Sequence, residues 1–310
     1  MNGRQTNQSH YLKALLKKSP ISRNQIAAIS GLSNPYIQTL EQGKITNVGR
    51  EKLIALGIAL NLNLSAIDNM LNVFDRAGLS KDDANYFLAA TGRRKFSSAL
   101  HPFYGGYTYD LLMVSTERIE GMHVLINSRP TYSLRSLGHR LYSEKEWMQN
   151  HPIYKNLITA IQKERYRLLL KNVASYPFYH YICQHCLEKY IYQCNDPEEK
   201  KWRKEHIKNT INMLLSSDNF HILLTKVCPN FCFAYKKPAA DTQKTEQLII
   251  ASLPPQQLRF HSSSLLAGFA TDNKALILNY KKELNHFKQA VIDEYTDRDK
   301  LINYLEVISK

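Results

Sequence analysis

Apolar positions divide the chain into two textures. Up to about residue 71 they recur at helical spacing in short blocks: Leu12, Leu15 and Leu16; Ile26, Ala27 and Ile29; Ile37 and Leu40; Leu53, Leu56 and Leu60. Positions three and four apart share one helix face, and polar starters precede most of these blocks. Ser9 is a candidate cap for the first. Ser22 with Gln25 three residues on has a capping-box pattern for the second, which Gly31 ends. Ser33 caps the third, Pro35 fits its first turn, and Gly43 stops it. Arg50 to Leu60 form a fourth, and Ser65 with Asp68 opens a fifth that ends near Leu71. Five short helices over residues 1–71 predict a compact all-α domain.

Residues 72–102 predict a partly helical linker, with Arg93-Arg94-Lys95 inside it and a break at His101-Pro102. From residue 103 to 310 the texture changes. Runs rich in aromatic and branched residues predict strands at Tyr107–Val114, Met122–Ile126, Phe220–Leu224, Phe231–Tyr235 and Leu248–Ala251. Helical spacing predicts helices from Ile153 to Val173, Tyr176 to Tyr192 and Trp202 to Leu215. Thr271 or Asp272 would cap another that buries Ile277, Tyr280, Leu284, Phe287 and Val291, and a last helix carries Leu301, Leu305 and Ile308. The expectation is a multidomain chain: an all-α domain followed by an α+β domain.

Composition narrows the class. Of 310 residues, 44% are hydrophobic and 22% charged, which suits a buried core and excludes a disordered tail or a low-complexity fibre. No apolar run near the start approaches the ~20 residues a bilayer requires, and the first residues lack the apolar segment of a signal peptide. Five cysteines are too few and odd in number for a disulfide scaffold. These features predict a cytoplasmic protein with no membrane partner. The charge is +14, which points to polyanions without choosing among them. Residues 1–75 hold 8 basic and 4 acidic residues, whereas residues 76–217 hold 21 and 13.

The segment from Ser22 to Gly43 has the layout of a helix-turn-helix. A small residue stands in the first helix (Ala27), a glycine at the turn (Gly31), and apolar residues that lock the two helices (Ile26, Ile37, Leu40). With Gln25-Ile26-Ala27, Ser30-Gly31-Leu32-Ser33, Tyr36-Ile37, Leu40-Glu41, Gly43-Lys44 and then Leu53 and Leu60, residues 9–71 resemble the Xre/Cro-like family of phage and bacterial repressors. The resemblance implies a homodimer on a palindromic double-stranded DNA operator, the second motif helix lying in the major groove. Ser33, Asn34, Pro35, Gln38 and Thr39 would then face base edges. Asn34 and Gln38 are the strongest candidates, because an amide can pair bidentately with adenine. Pro35 departs from the amide or charged residue often found there and offers only apolar contact. Arg23, Gln25, Tyr36, Lys44 and Arg50 would meet phosphates, which position the protein rather than specify sequence.

The larger domain shows no Gly-Asp-Ser-Met-like run for self-cleavage, no GxxxxGK[ST] loop, no HExxH and no kinase signature. The expectation is a non-enzymatic domain without a cofactor that dimerises and senses a small-molecule, peptide or protein effector. The alternatives are an antitoxin-like module that binds a protein partner and a DNA-targeted enzyme. Arg129, Arg135, Arg140, Arg165 and Arg167 sit in a basic stretch that could line an anionic-effector pocket, add phosphate contacts, or form a solvated helix face. His180, Cys183, His185 and Cys186 form H-x-x-C-x-H-C, and a C-x-x-C pair can chelate zinc or form a redox disulfide. Yet the stretch is Tyr-rich, lacks the turn-forming Gly or Pro of a zinc knuckle, and has no second C-x-x-C. Buried thiols account for it as well, so no metal is expected.

Overall fold

The computed structural model describes residues 3–45, 47–94, 100–252 and 267–310. Five helices open the chain: α1 (Gly3–Lys18), α2 (Arg23–Ser30), α3 (Asn34–Glu41), α4 (Arg50–Ala59) and α5 (Leu64–Val73). The capping box on α2 forms as expected. The Ser22 hydroxyl accepts from the Gln25 amide, and the Gln25 side chain accepts from the Ser22 amide. Gly31 ends α2 at φ 69°, a left-handed conformation that glycine adopts at low cost. A Cβ there would also lie 2.5 Å from the Arg93 Cβ, so the turn needs glycine for space as well.

Two caps fall elsewhere than expected. Ser9 lies inside α1, where its hydroxyl donates to the Glu41 carbonyl and ties α1 to the end of α3. The fifth helix is capped by Asn63, whose side chain accepts from the Ala66 amide, while Asp68 accepts from the Leu79 amide. Asn63 caps the helix because it stands two residues before Ser65, in extended backbone directly ahead of the first turn, whereas Ser65 lies inside the helix.

Residues 72–102 include helix α6 (Ala84–Arg93), which packs against α2 and α4 on one side and against helices of the following region on the other. Two of those helices, α7 (Gly106–Glu117) and α10 (Tyr154–Val173), share a core with the first five. Leu53, Ile54, Leu56, Met70 and Phe87 form one cluster with Tyr107, Leu111, Val114, Leu157, Ile158 and Ile161. The Asn61 amide donates to the Pro102 carbonyl at 3.0 Å, and the Tyr107 hydroxyl donates to the Leu62 carbonyl.

The expected strand Tyr107–Val114 is therefore part of α7. Every residue from Tyr107 to Glu117 is buried, with Tyr107 and Leu111 turned to this cluster and Leu112 and Met113 to the sheet. A helix buried all round loses the polar stripe that marks helical periodicity and reads as a continuous apolar run.

A seven-stranded sheet follows, from β1 (His101–Tyr104), β2 (Gly121–Asn127), β3 (Phe178–Cys183), β4 (Phe220–Thr225), β5 (Phe231–Pro238), β6 (Gln247–Ser252) and β7 (Ala267–Thr271). Its order is β1-β7-β6-β5-β2-β3-β4. β2, β3 and β4 run parallel, and the other neighbours are antiparallel. The crossover from β2 to β3 contains α8 (Leu137–Ser143), α9 (Lys145–Met148) and α10; that from β3 to β4 contains α11 (Gln184–Tyr192) and α12 (Pro197–Ser216).

One sheet face, with Leu125, Ile182, Ile222, Ala234 and Ile249, packs beneath α7, α10, α11, α12 and the last helix, α14 (Arg298–Ser309). The other face, with Val124, Ile126, Phe233 and Leu248, is covered by Ile277, Leu284 and Phe287 of α13 (Lys274–Gln289). An all-α region followed by a mixed α+β region is thus the architecture. The expected helix Tyr176–Tyr192 divides at Cys183 into a strand and a helix, because Tyr181 faces α13 while Phe178 and Ile182 face the opposite layer. Asn273, rather than Thr271 or Asp272, caps α13. β1 and β7 escape notice in the sequence because they are short and contain Pro102 and Gly268.

A buried ion network joins α7, α8 and α10. Arg165 reaches Asp110 at 2.9 Å and Glu117 at 2.8 Å, while Arg140 pairs with Asp110 and lies 3.4 Å from Glu144. Burial opposes charge on Arg165, but Glu117 and Asp110 outweigh it and hold the guanidinium above its ordinary pKa. Removing one partner from such a network leaves an uncompensated buried charge. Arg165→Ala should lower unfolding free energy by about 3–5 kcal/mol in urea titrations. Arg167→Ala, whose exposed side chain pairs with Glu164, should change it by no more than about 1 kcal/mol.

Candidate functional site

The outward side of α3 is the first candidate surface. Ile37 and Leu40 point into the helical core, whereas Ser33, Pro35 and Gln38 are exposed and Asn34, Tyr36 and Thr39 half-buried. Ser33 caps α3 by accepting from the Tyr36 amide, and the Thr39 hydroxyl donates to the Pro35 carbonyl. The Asn34 amide donates to Asn24 at 2.5 Å, which aligns it beside α2. α3 packs against α1 and α2.

The residues expected at phosphates have different surroundings. Lys44 is exposed just after α3, and the Tyr36 ring lies under the Lys52 ammonium at 4.7 Å. Arg23 pairs with Glu41 at 2.5 Å. Gln25, besides its capping role, donates to the Leu100 carbonyl at 2.9 Å. Arg50 holds Asp83 and the carbonyls of Ala77 and Gly78, fastening α4 to the segment before α6.

The basic stretch from residue 129 to 171 does not converge on one surface. Arg140 and Arg165 belong to the buried ion network, and Arg167 pairs with Glu164 on the surface. Arg129 and Arg135 are buried against the Tyr132 ring, at 4.6 and 4.2 Å from its centre. Burial, with the neighbouring Arg135, pulls Arg129 down to about 9, and burial lowers Arg135 as well. Behind them His206 lies between the Tyr190 hydroxyl at 3.0 Å and the Thr131 carbonyl at 2.9 Å. Arg135 also borders a cavity of about 410 Å³ lined by Leu134, Gln162, Lys163, Tyr166 and Asn209 among others. One basic side chain of the stretch is thus buried at the wall of a real cavity, beside the exposed Lys163.

The third candidate is a thiol cluster at the carboxyl ends of two parallel strands. Cys183 ends β3 and caps α11, its sulfur accepting from the Cys186 amide at 3.4 Å. The Cys186 sulfur lies 3.2 Å from that of Cys228, in the β4–β5 connection. All three sulfurs lie within 4.8 Å of one another, Cys183 and Cys186 buried and Cys228 exposed. The side-chain hydrogen bond between Cys183 and Cys186 lowers the Cys183 thiol and raises that of Cys186. Local spacing could not reveal Cys228, which joins from 42 positions away.

His180, paired with these cysteines in the sequence reading, lies elsewhere. It sits on the inner sheet face, fully buried beside the Phe178 ring. Its position in β3 explains this: side chains alternate, so His180 and Cys183 project to opposite faces.

No family model matches the chain, and no curated protein or solved structure matches it either. The geometry and chemistry of these three places carry the functional reading.

Burial pushes His180 down to about 3, and neither ring nitrogen has a hydrogen-bond partner among the described residues. In an unfolded chain a histidine titrates near 6.5. Between these values the unfolded chain binds the proton and the folded one does not. Stability is therefore complete above about pH 6.5 and falls as pH drops toward 3, by up to about 1.4 kcal/mol per pH unit. His180→Phe should lose less stability between pH 7 and pH 5 than the parent, read from urea midpoints. An unchanged pH slope would contradict this placement.

Proposed function

We propose that the chain is a sequence-specific DNA-binding transcriptional regulator, with α3 as the helix that enters the major groove. The observation that carries this reading is the capped α2–Gly31–α3 unit, whose inner face is locked by Ile26, Ile37 and Leu40 while Ser33, Pro35 and Gln38 stand exposed. Gln38 and Asn34 supply amides for base edges, and Thr39 supplements them. Lys44, exposed beside α3, is the best-placed cation for a phosphate. Arg23, Gln25 and Arg50 bind partners within the chain and hold the reading unit in shape.

The region after residue 103 acts as the regulatory part. Its cavity beside Arg135 suits an anionic small molecule or peptide terminus, and α10 connects that cavity to the DNA-reading helices. Gln162, Lys163 and Tyr166 line the cavity, while Leu157, Ile158 and Ile161 of the same helix pack in the core shared with α4 and α5. A ligand that prefers one position of α10 changes DNA affinity by its differential affinity for the two positions. The active species is a homodimer on a palindromic operator, as the repressor resemblance implies. Occlusion of a promoter is the simplest outcome.

Genome-wide mapping of bound sites tests this directly. The parent should recover a shared palindromic sequence. Gln38→Ala and Asn34→Ala should each weaken or relax recognition by about 1–3 kcal/mol without altering the unfolding midpoint. Lys44→Ala should weaken binding across all sequences and reduce the slope of log affinity against log salt by about one. Unchanged sites and specificity in both amide variants would remove α3 as the reading helix.

A further inference from the structure

The thiol cluster lies outside the DNA-reading face and outside the cavity beside Arg135, and neither use explains it. Its parts come from three separate places: the end of β3, the first turn of α11, and the connection that follows β4. In an open sheet with parallel strands, the carboxyl ends of those strands form the crevice where ligands bind. Cys183 and Cys228 stand at that edge because β3 and β4 are parallel neighbours, paired from Phe178 with Phe220 to Cys183 with Thr225. Cys186 joins them because residues three apart share one face of a helix.

The arrangement matches the needs of a soft metal ion. A tetrahedral zinc ion with bonds of about 2.3 Å to sulfur requires sulfurs roughly 3.8 Å apart. The observed set, with one pair at 3.2 Å and all within 4.8 Å, brackets that spacing and needs only side-chain adjustment. Two sulfurs are buried and one is exposed, so an ion has a dry seat and an entry path. The amide at the start of α11 already points at Cys183, and a helix N-terminus favours the thiolate form that metals bind.

We propose that Cys183, Cys186 and Cys228 form a three-thiolate site for a single thiophilic metal ion of the zinc class. The fourth coordination position opens to solvent beside Cys228, where water or an external thiol completes the shell. Binding exchanges the thiol protons for the ion and releases them to solvent. The ion joins the β4–β5 connection to the start of α11.

The test titrates the reduced full-length chain with Cd2+ under anaerobic conditions, following thiolate-to-metal absorption and the intact mass. One ion per chain is expected, and Zn2+ should compete for it. Cys186→Ser and Cys228→Ser should abolish uptake, whereas Cys194→Ser and Cys232→Ser should retain it. Cys183→Ser, which keeps a good helix cap, should also lose the ion. In the parent, where no variant has to fold, Zn2+ should protect Cys228 from a maleimide at least tenfold in peptide maps. Absence of uptake, equal uptake by the Cys186→Ser and Cys228→Ser variants, or unprotected Cys228 overturns the proposal. Loss of two hydrogen masses in air, with no ion bound after reduction, overturns it too and identifies Cys186 and Cys228 as a disulfide-forming pair.

Discussion

The crossing of α7 and α10 organises the molecule, and Arg165 fixes it. The guanidinium meets Asp110 and Glu117, about two helix turns apart on α7, with less than a tenth of any of these side chains exposed. Arg140 from α8 adds a second cation to Asp110. Coulomb attraction is strong in such a dry setting, but each charge also loses its hydration, so the network contributes geometry more than net stability. Its ion pairs tie α7, α8 and α10 to one another. On one side of that crossing lies the sheet, and on the other lie the five N-terminal helices.

This placement packs the all-α region and the α+β region against shared helices. α10 carries Leu157, Ile158 and Ile161 into the core of the first helices, and Leu169 and Val173 into the core against the sheet. α10 therefore belongs to both cores along its length. α6 adds a second connection, since its Phe87 lies in the same core and Arg93 packs against Gly31 at the turn of the helix-turn-helix. The α2–α3 unit is therefore seated against the rest of the chain rather than joined only through a tether.

The sequence carried the N-terminal helices clearly because their signals are local. The capping box of Ser22 and Gln25, the left-handed Gly31 and the cap at Ser33 depend on residues within a few positions. Local signals failed where tertiary burial took over. α7 lost its amphipathic stripe by being covered on all sides, and β3 and α11 merged into one aromatic run. Charge was misleading for a related reason. Arg165 and Arg167 stand two positions apart in the basic stretch, and a helix turns them to different sides, one into the ion network and one to solvent. The thiol cluster was half legible: C-x-x-C appears in the sequence, but Cys228 arrives only through the pairing of β3 with β4.

Selection of binding sites from a random duplex pool tests the proposed reading of DNA sequence by α3 most directly. The purified full-length chain should enrich one motif with two inverted half-sites, about one helical turn apart from centre to centre. Retention of duplexes that depends on salt but enriches no motif would contradict it, as charge alone would then explain binding.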